Sequence, residues 1–307
     1  MNSNFKGIYA ATVVPIFKNK KIDFESLIKH NYDISTRKGI KGLLINGHAG
    51  ENFYFNYKEQ IKITEKIREN TPKDKFIVSG INFEDSYTAA SVSKDMISAG
   101  ADAIMVFPPN SWALSLDDNI VYNHHKIISS KIKKPLMLYQ ASIYAGKMSY
   151  SLNILKKLID IDGVIGIKEG SWNFNAYKKN YDFIKKNKPS FLVMASGDEH
   201  LYSCFKYGSD GSLVSLAILI PELITYLYEN IKNENSINLK SVNKKINTLA
   251  KLIYGVPPQA FATARLKVCL RLLKKIRNNF VKSPMSQISI IETLKLKKAL
   301  IQADLKF

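Results

Sequence analysis

The sequence predicts a closed barrel of eight parallel β-strands alternating with helices, a (β/α)8 TIM barrel, followed by a C-terminal helical extension. Three observations carry that expectation. Short apolar, β-branched runs alternate with longer amphipathic ones up to about residue 235, there are eight such runs, and after Pro221 the pattern becomes helical only. Parallel strands need helical crossovers and are covered on both faces, so they read as nearly continuous apolar runs.

The strands are expected at 8–14, 43–46, 76–79, 103–107, 136–140, 164–168, 191–195 and 212–215. Between them, apolar residues recur at helical spacing over 23–38, 57–70, 86–99, 117–131 and 149–160. Asp23 is a capping residue at the start of the first, and Gly39, Pro72 and Gly100 stand where helices must stop. The segment 173–188 is a less regular helix, 200–207 a short one, and 221–232 the eighth barrel helix. Helices at 239–254, 258–274 and 289–303 complete the chain. The Asn-rich stretch Asn233-Glu234-Asn235-Ser236 divides a barrel domain, 1–235, from the extension, 236–307.

With 307 residues and 46% hydrophobic content, the chain suits one barrel of this size. No apolar run approaches the roughly 20 residues of a membrane span. The start Met1-Asn2-Ser3-Asn4-Phe5-Lys6 lacks the apolar core of a signal peptide, so a soluble, cytoplasmic protein without membrane partners is expected. Two cysteines, Cys204 and Cys269, make neither a disulfide framework nor a metal cluster, and no zinc-ligand spacing or phosphate loop occurs. Neither a metal nor a cofactor is expected. The net charge of +19 comes from lysines spread over many amphipathic segments without a basic arm, which argues against a nucleic-acid footprint.

Chemistry in such a barrel sits at the C-terminal ends of the strands. Lys168 ends the run Gly163-Val164-Ile165-Gly166-Ile167-Lys168-Glu169. An amine held against an apolar interior loses its charge more easily and becomes the nucleophile a Schiff base requires. By position alone the commoner reading is a lysine that marks a strand end and reaches into water. After the second strand comes the tight turn Gly47-His48-Ala49-Gly50-Glu51, whose backbone N–H groups suit a carboxylate. Tyr139-Gln140 follow the fifth strand, Ser196-Gly197-Asp198-Glu199 the seventh, and Gly211-Ser212-Leu213 run through the eighth.

In that order, and at those strand ends, Gly47-x-x-Gly50-Glu51, Tyr139, the Gly-x-Lys-Glu around Lys168 and Ser196-Gly197-Asp198 resemble the dihydrodipicolinate synthase / N-acetylneuraminate lyase family of class I aldolases. The resemblance spans the chain, from Gly7-Ile8 and Pro15-Ile16-Phe17 to Ser283-Pro284-Met285. It implies a Schiff base to a 2-oxo acid substrate and usually a homotetramer, a homodimer being the alternative. Lys168 would form the imine, and Tyr139 would move protons, unless it is a barrel-core tyrosine. The Gly47–Ala49 amides would hold the substrate carboxylate, and Gly197 and Leu213 would lie against the bound acid.

Three departures stand out. The two hydroxyl residues usual in the glycine turn are His48 and Ala49 here, so His48 either replaces a proton relay or is a structural turn residue. The synthase pattern Tyr-Asn-x-Pro-x-Arg reads Tyr139-Gln140-Ala141-Ser142-Ile143-Tyr144, with Tyr144 in place of a carboxylate-clamping arginine, which no tyrosine reproduces. The aromatic pair after the fourth strand becomes Pro108-Pro109-Asn110-Ser111, leaving Trp112 as stand-in for an intersubunit tyrosine. Glu51 is expected to brace its turn. His124 and His125, adjacent in a helix, face different sides and do not suit a metal pair, and His200 is either near the mouth or on the surface. The expected function is a lyase, aldolase or dehydratase acting on pyruvate or a longer 2-oxo acid, and a poor dihydrodipicolinate synthase. The alternative is a barrel that binds a 2-oxo acid without turning it over.

Overall fold

The computed structural model describes residues 2–114, 117–232 and 237–305. Eight parallel strands close in sequence order: β1 (Gly7–Ala11), β2 (Ile40–Ile45), β3 (Phe76–Ile81), β4 (Ala103–Val106), β5 (Leu136–Gln140), β6 (Val164–Glu169), β7 (Leu192–Ala195) and β8 (Gly211–Val214), with β8 pairing back on β1. The helices between them are α1 (Phe24–Ser35), α2 (Tyr57–Glu69), α3 (Ser86–Ser98), α4 (Asp118–Lys131), α5 (Leu152–Ile159), α6 (Phe174–Asn187), α7 (Leu201–Tyr207) and α8 (Pro221–Asn230). Then come α9 (Ile237–Ile253), α10 (Ala262–Leu272) and α11 (Ile290–Gln302). The expected TIM barrel with C-terminal helices is what the chain forms. The expected domain boundary at 235/236 lies outside the described residues.

Local chemistry sets the helix starts. The Asp23 carboxylate accepts the Ser26 N–H, Asp85 that of Thr88, and Asn56 with Glu59 forms a reciprocal capping box, repeated by Ser289 and Glu292. Strand bounds differ from expectation by a few residues. β1 ends at Ala11 rather than 14, because the chain turns away after Thr12 donates to the Leu44 carbonyl at 2.9 Å. β2 begins at Ile40, directly after the positive-φ turn at Gly39, and β3 continues to Ile81.

Two cores result from the alternation of the strands. Residues such as Ile8, Leu43, Ile77 and Ile167 pack outward against the helices, while Tyr9, Leu44, Val78, Met105, Met137, Met194 and Leu213 fill the barrel. β6 breaks the alternation. Leu136 of β5 pairs with Val164 but Met137 pairs with Gly166, so Ile165 is a bulge residue. Val164 and Ile167 therefore both join the outer core, and Gly166 and Lys168 turn inward beside Leu192 and Met194. Without the bulge a two-residue period from Val164 would send Lys168 to the helices. Gly166 itself must lack a side chain, since a Cβ there would stand 2.7 Å from that of Leu192.

Candidate active site

At the C-terminal end of the barrel lies a cavity of about 800 Å³ lined by residues from both the strand ends and the C-terminal helices. Lys168, buried at 8% exposure, sits in it with Tyr139, its register partner on β5. The Lys168 Nζ lies 5.5 Å from the centre of the Tyr139 ring. Burial pulls the amine down to about 8, partly opposed by the Asp198 carboxylate. At pH 7 about a tenth of it is therefore neutral, far more than for a free lysine. Burial, with a contribution from the Glu169 carboxylate, pushes the Tyr139 phenol up to about 12, while the Trp172 indole as hydrogen-bond partner holds it down. Tyr139 is thus a proton-bearing acid in the resting site.

Glu169, the next residue along, belongs to the other side of the strand. It accepts from Ser171 Oγ at 2.9 Å and from Asn180 Nδ2 at 2.9 Å, so its carboxylate is already satisfied away from the cavity.

The turn after β2 supplies the opposite wall. Gly47, His48 and Ala49 line the cavity, and the Gly47 carbonyl accepts the N–H groups of Gly50 and Asn52 at 3.0 and 3.3 Å. Among the described residues no carbonyl takes the His48 or Ala49 N–H, which leaves both amides available at the head of the turn. The His48 ring is exposed to the cavity, stacked at 4.4 Å on Phe107 and 4.9 Å on Phe53, and meets Tyr139 edge-on at 5.2 Å. Desolvation by its packed surroundings, and after it the Lys168 ammonium, disfavours the imidazolium. His48 and Tyr139 thus meet ring to ring at the cavity wall.

After β7 the chain presents Ser196, Asp198 and Glu199 to the cavity. Asp198 is 3% exposed, accepts the Leu216 N–H at 2.9 Å, and burial pushes its carboxyl up to about 7. Burial also raises Glu199 to about 7, and its Oε2 has no partner among the described residues. Leu213 lines the cavity as expected of it, but Gly197 does not. It faces a small crevice behind the wall, with Glu169, Trp172, His200 and Cys204, because the turn between Ser196 and Asp198 carries its backbone away from the mouth. His200 follows it there.

Tyr144 stands on the rim, 86% exposed, in a turn (Ile143–Met148) where Ser142 Oγ accepts its N–H. Trp112 does not replace an intersubunit tyrosine: it is 4% exposed and packs its indole inward against His124 and His125 at 5.5 and 6.0 Å. Those histidines are buried as well, His124 bonded to Ser86 Oγ and His125 to the Val121 carbonyl and Tyr150 hydroxyl. Among the described residues no group of three or more His, Cys, Asp or Glu could hold a metal ion, and no helix is long and apolar enough to cross a membrane.

Sequence reasoning named the Ser196–Glu199 turn without giving its acids a role, and it missed Trp172, Tyr254, Gln259 and Thr263, all of which line the cavity. The unpaired Glu199 oxygen and the contribution of α10 and the segment before it depend on tertiary contacts that leave no local pattern.

A closed parallel barrel with a desolvated lysine at the end of its sixth strand defines a class of enzyme scaffold that works at the strand ends. The chain belongs to the dihydrodipicolinate synthetase family, which it matches over residues 4–303. It is 25% identical over 291 residues to N-acetylneuraminate lyase 2 of Escherichia coli, covering 94% of this chain and 91% of that one. It is 27% identical over 310 residues to the 4-hydroxy-tetrahydrodipicolinate synthase of Bdellovibrio bacteriovorus, covering 99% and 98%. Among solved structures it resembles a prophage protein of the dihydrodipicolinic acid synthase family from Escherichia coli K12 in complex with pyruvate, with a TM-score of 0.90, 19% identity and coverage of 98% and 99%. The family consists of lyases and synthases, and this chain has their fold.

Proposed function

We propose that the protein is a class I lyase, aldolase or dehydratase that binds a 2-oxo acid as an imine on Lys168. The observation that carries this reading is the desolvated Lys168 amine beside its register partner Tyr139 inside the cavity at the strand ends. The neutral amine attacks the C2 carbonyl, the carbonyl oxygen takes up two protons and leaves as water, and an iminium forms. The iminium then draws in the electron pair of the bond broken at C3, giving an enamine. Tyr139 donates and recovers protons at this centre. The His48 and Ala49 amides hold the substrate carboxylate. His48, kept neutral, exchanges the Tyr139 proton through one water.

The cavity supports a substrate larger than pyruvate. Its wall presents Asp198, Glu199, Ser215, Tyr254, Gln259 and Thr263, while Lys168 is the sole Lys or Arg among its lining residues. Two acids and no further cation favour a neutral tail rich in hydroxyl donors and repel a second carboxylate. A sugar-derived 2-oxo acid has that character, and an efficient dihydrodipicolinate synthase is not expected. The pairing with N-acetylneuraminate lyase 2 is consistent with this tail.

Borohydride reduction in the presence of pyruvate and of longer 2-oxo acids, followed by mass spectrometry, tests the reading. A covalent adduct at Lys168 is expected. Its absence with every acid refutes the imine, and adduct formation without product from any substrate converts the protein into a 2-oxo-acid binder.

A further inference from the structure

The Gly47–Glu51 turn is held from outside the barrel by a charge pair that no step above uses. Glu51, 1% exposed, has its carboxylate ion-paired with the Nζ of Lys267 on α10, whose side chain is fully buried. Lys267 also donates to the Phe280 carbonyl at 2.9 Å, and the second oxygen of Glu51 accepts the Lys282 N–H at 3.1 Å. Lys282 continues outward to the Tyr54 carbonyl and the Glu59 carboxylate at 3.0 and 3.3 Å. Every oxygen of the buried carboxylate is thereby engaged by the C-terminal extension.

Such a pair is an expensive way to achieve packing, because desolvating two charges offsets most of their attraction, and apolar residues of similar volume hold a core as well. What it provides is direction. Glu51 adopts φ +55°, a left-handed conformation that glycine adopts freely and that strains a glutamate. The carboxylate is kept at that strained corner, at the end of the turn whose His48 and Ala49 line the cavity. The same stretch of α10 that carries Lys267 also contributes Thr263 and Leu266 to the cavity wall. One helix thus sets both the far wall and the tilt of the turn.

We infer that Lys267 is a positioning residue which, through Glu51, fixes the turn amides in the geometry that holds the substrate carboxylate. The inference rests on the imine reading above and assigns a working role to the C-terminal extension. Lys267 does not line the cavity, and Glu51, which borders it, has both carboxylate oxygens engaged by Lys267 and Lys282. Their loss therefore weakens the grip on a carboxylate and leaves the reactivity of Lys168 toward a carbonyl in place.

The test is the concentration dependence of borohydride trapping at Lys168 with pyruvate and with its uncharged methyl ester, in the full-length protein. In Glu51→Gln and in Lys267→Met, half-maximal trapping by pyruvate should need about tenfold more ligand, and that by methyl pyruvate should change by less than about twofold. Lys267→Arg should keep the pyruvate preference. The double variant Glu51→Gln/Lys267→Met removes both charges, so it should fold even where a single variant strands one, and it should still lack the preference. Adduct formation with an unchanged pyruvate-to-ester ratio in the folded double variant overturns the inference while leaving the imine reading intact. An equal loss with both ligands reduces the pair to a purely structural strut and overturns it too. Absence of any adduct in the unmodified protein removes the imine reading itself, and the inference with it.

Discussion

Tyr139 of β5 and Lys168 of β6 are paired across adjacent parallel strands, and both face the barrel interior. Parallel pairing holds their Cα atoms at a fixed separation, so the phenol and amine meet without help from a mobile loop. Tyr139→Phe removes the phenol hydroxyl and keeps the ring. It should slow turnover by about 10²- to 10⁴-fold. Trapping of the imine should fall much less, which single-turnover kinetics with and without borohydride will separate.

Acidity at Lys168 should appear as a pH limb. Imine formation needs the neutral amine, so kcat/KM should rise about tenfold per pH unit below about 8 and level off above it. The Asp198 carboxylate favours the ammonium and raises that value. Asp198→Asn keeps an oxygen for the Leu216 N–H and removes the charge, so the limb should move to lower pH. A shift to higher pH would contradict the assigned influence of Asp198.

For His48, the neutral imidazole edge-on to Tyr139 predicts a role in proton transfer after the imine has formed. His48→Asn should leave trapping at Lys168 near the parental level and slow product formation by about tenfold or more. Equal product rates in the two proteins would make His48 a turn residue only.

The charge pattern of the cavity predicts poor synthase activity. With aspartate semialdehyde as second substrate, the coupled assay should run several orders of magnitude below the family's synthases, because no guanidinium meets the second carboxylate. Turnover comparable to those enzymes would refute the assignment.

A last prediction concerns stability. Burial holds His30 down to about 4, and neither ring nitrogen has a partner among the described residues. Above pH 6.5 both folded and unfolded forms carry it neutral. Below that, the unfolded chain takes up the proton first, so His30 costs stability as pH falls, about 2 kcal/mol by pH 5. The Tm of His30→Leu, compared with the parent, should therefore improve between pH 7.5 and pH 5. A constant difference would show that the imidazole is not buried neutral.

The sequence by itself determined the barrel, because eight apolar runs separated by capped amphipathic segments leave few ways to bury both faces of each strand. It also determined the reactive inventory at the strand ends: Lys168, Tyr139 and the glycine turn are local patterns at positions where barrels place their chemistry. What faces what was decided only by the tertiary structure. A single bulge at Ile165 turns Lys168 into the barrel, and a bulge is a mismatch between two strands that neither strand's own pattern records. Gly197 and Trp112 turn away from the cavity because of backbone path and neighbouring helices. Glu51 and Lys267, 216 residues apart, find each other only once α10 closes over the mouth. Long-range pairing of charges costs nothing in local propensity and so leaves no local trace.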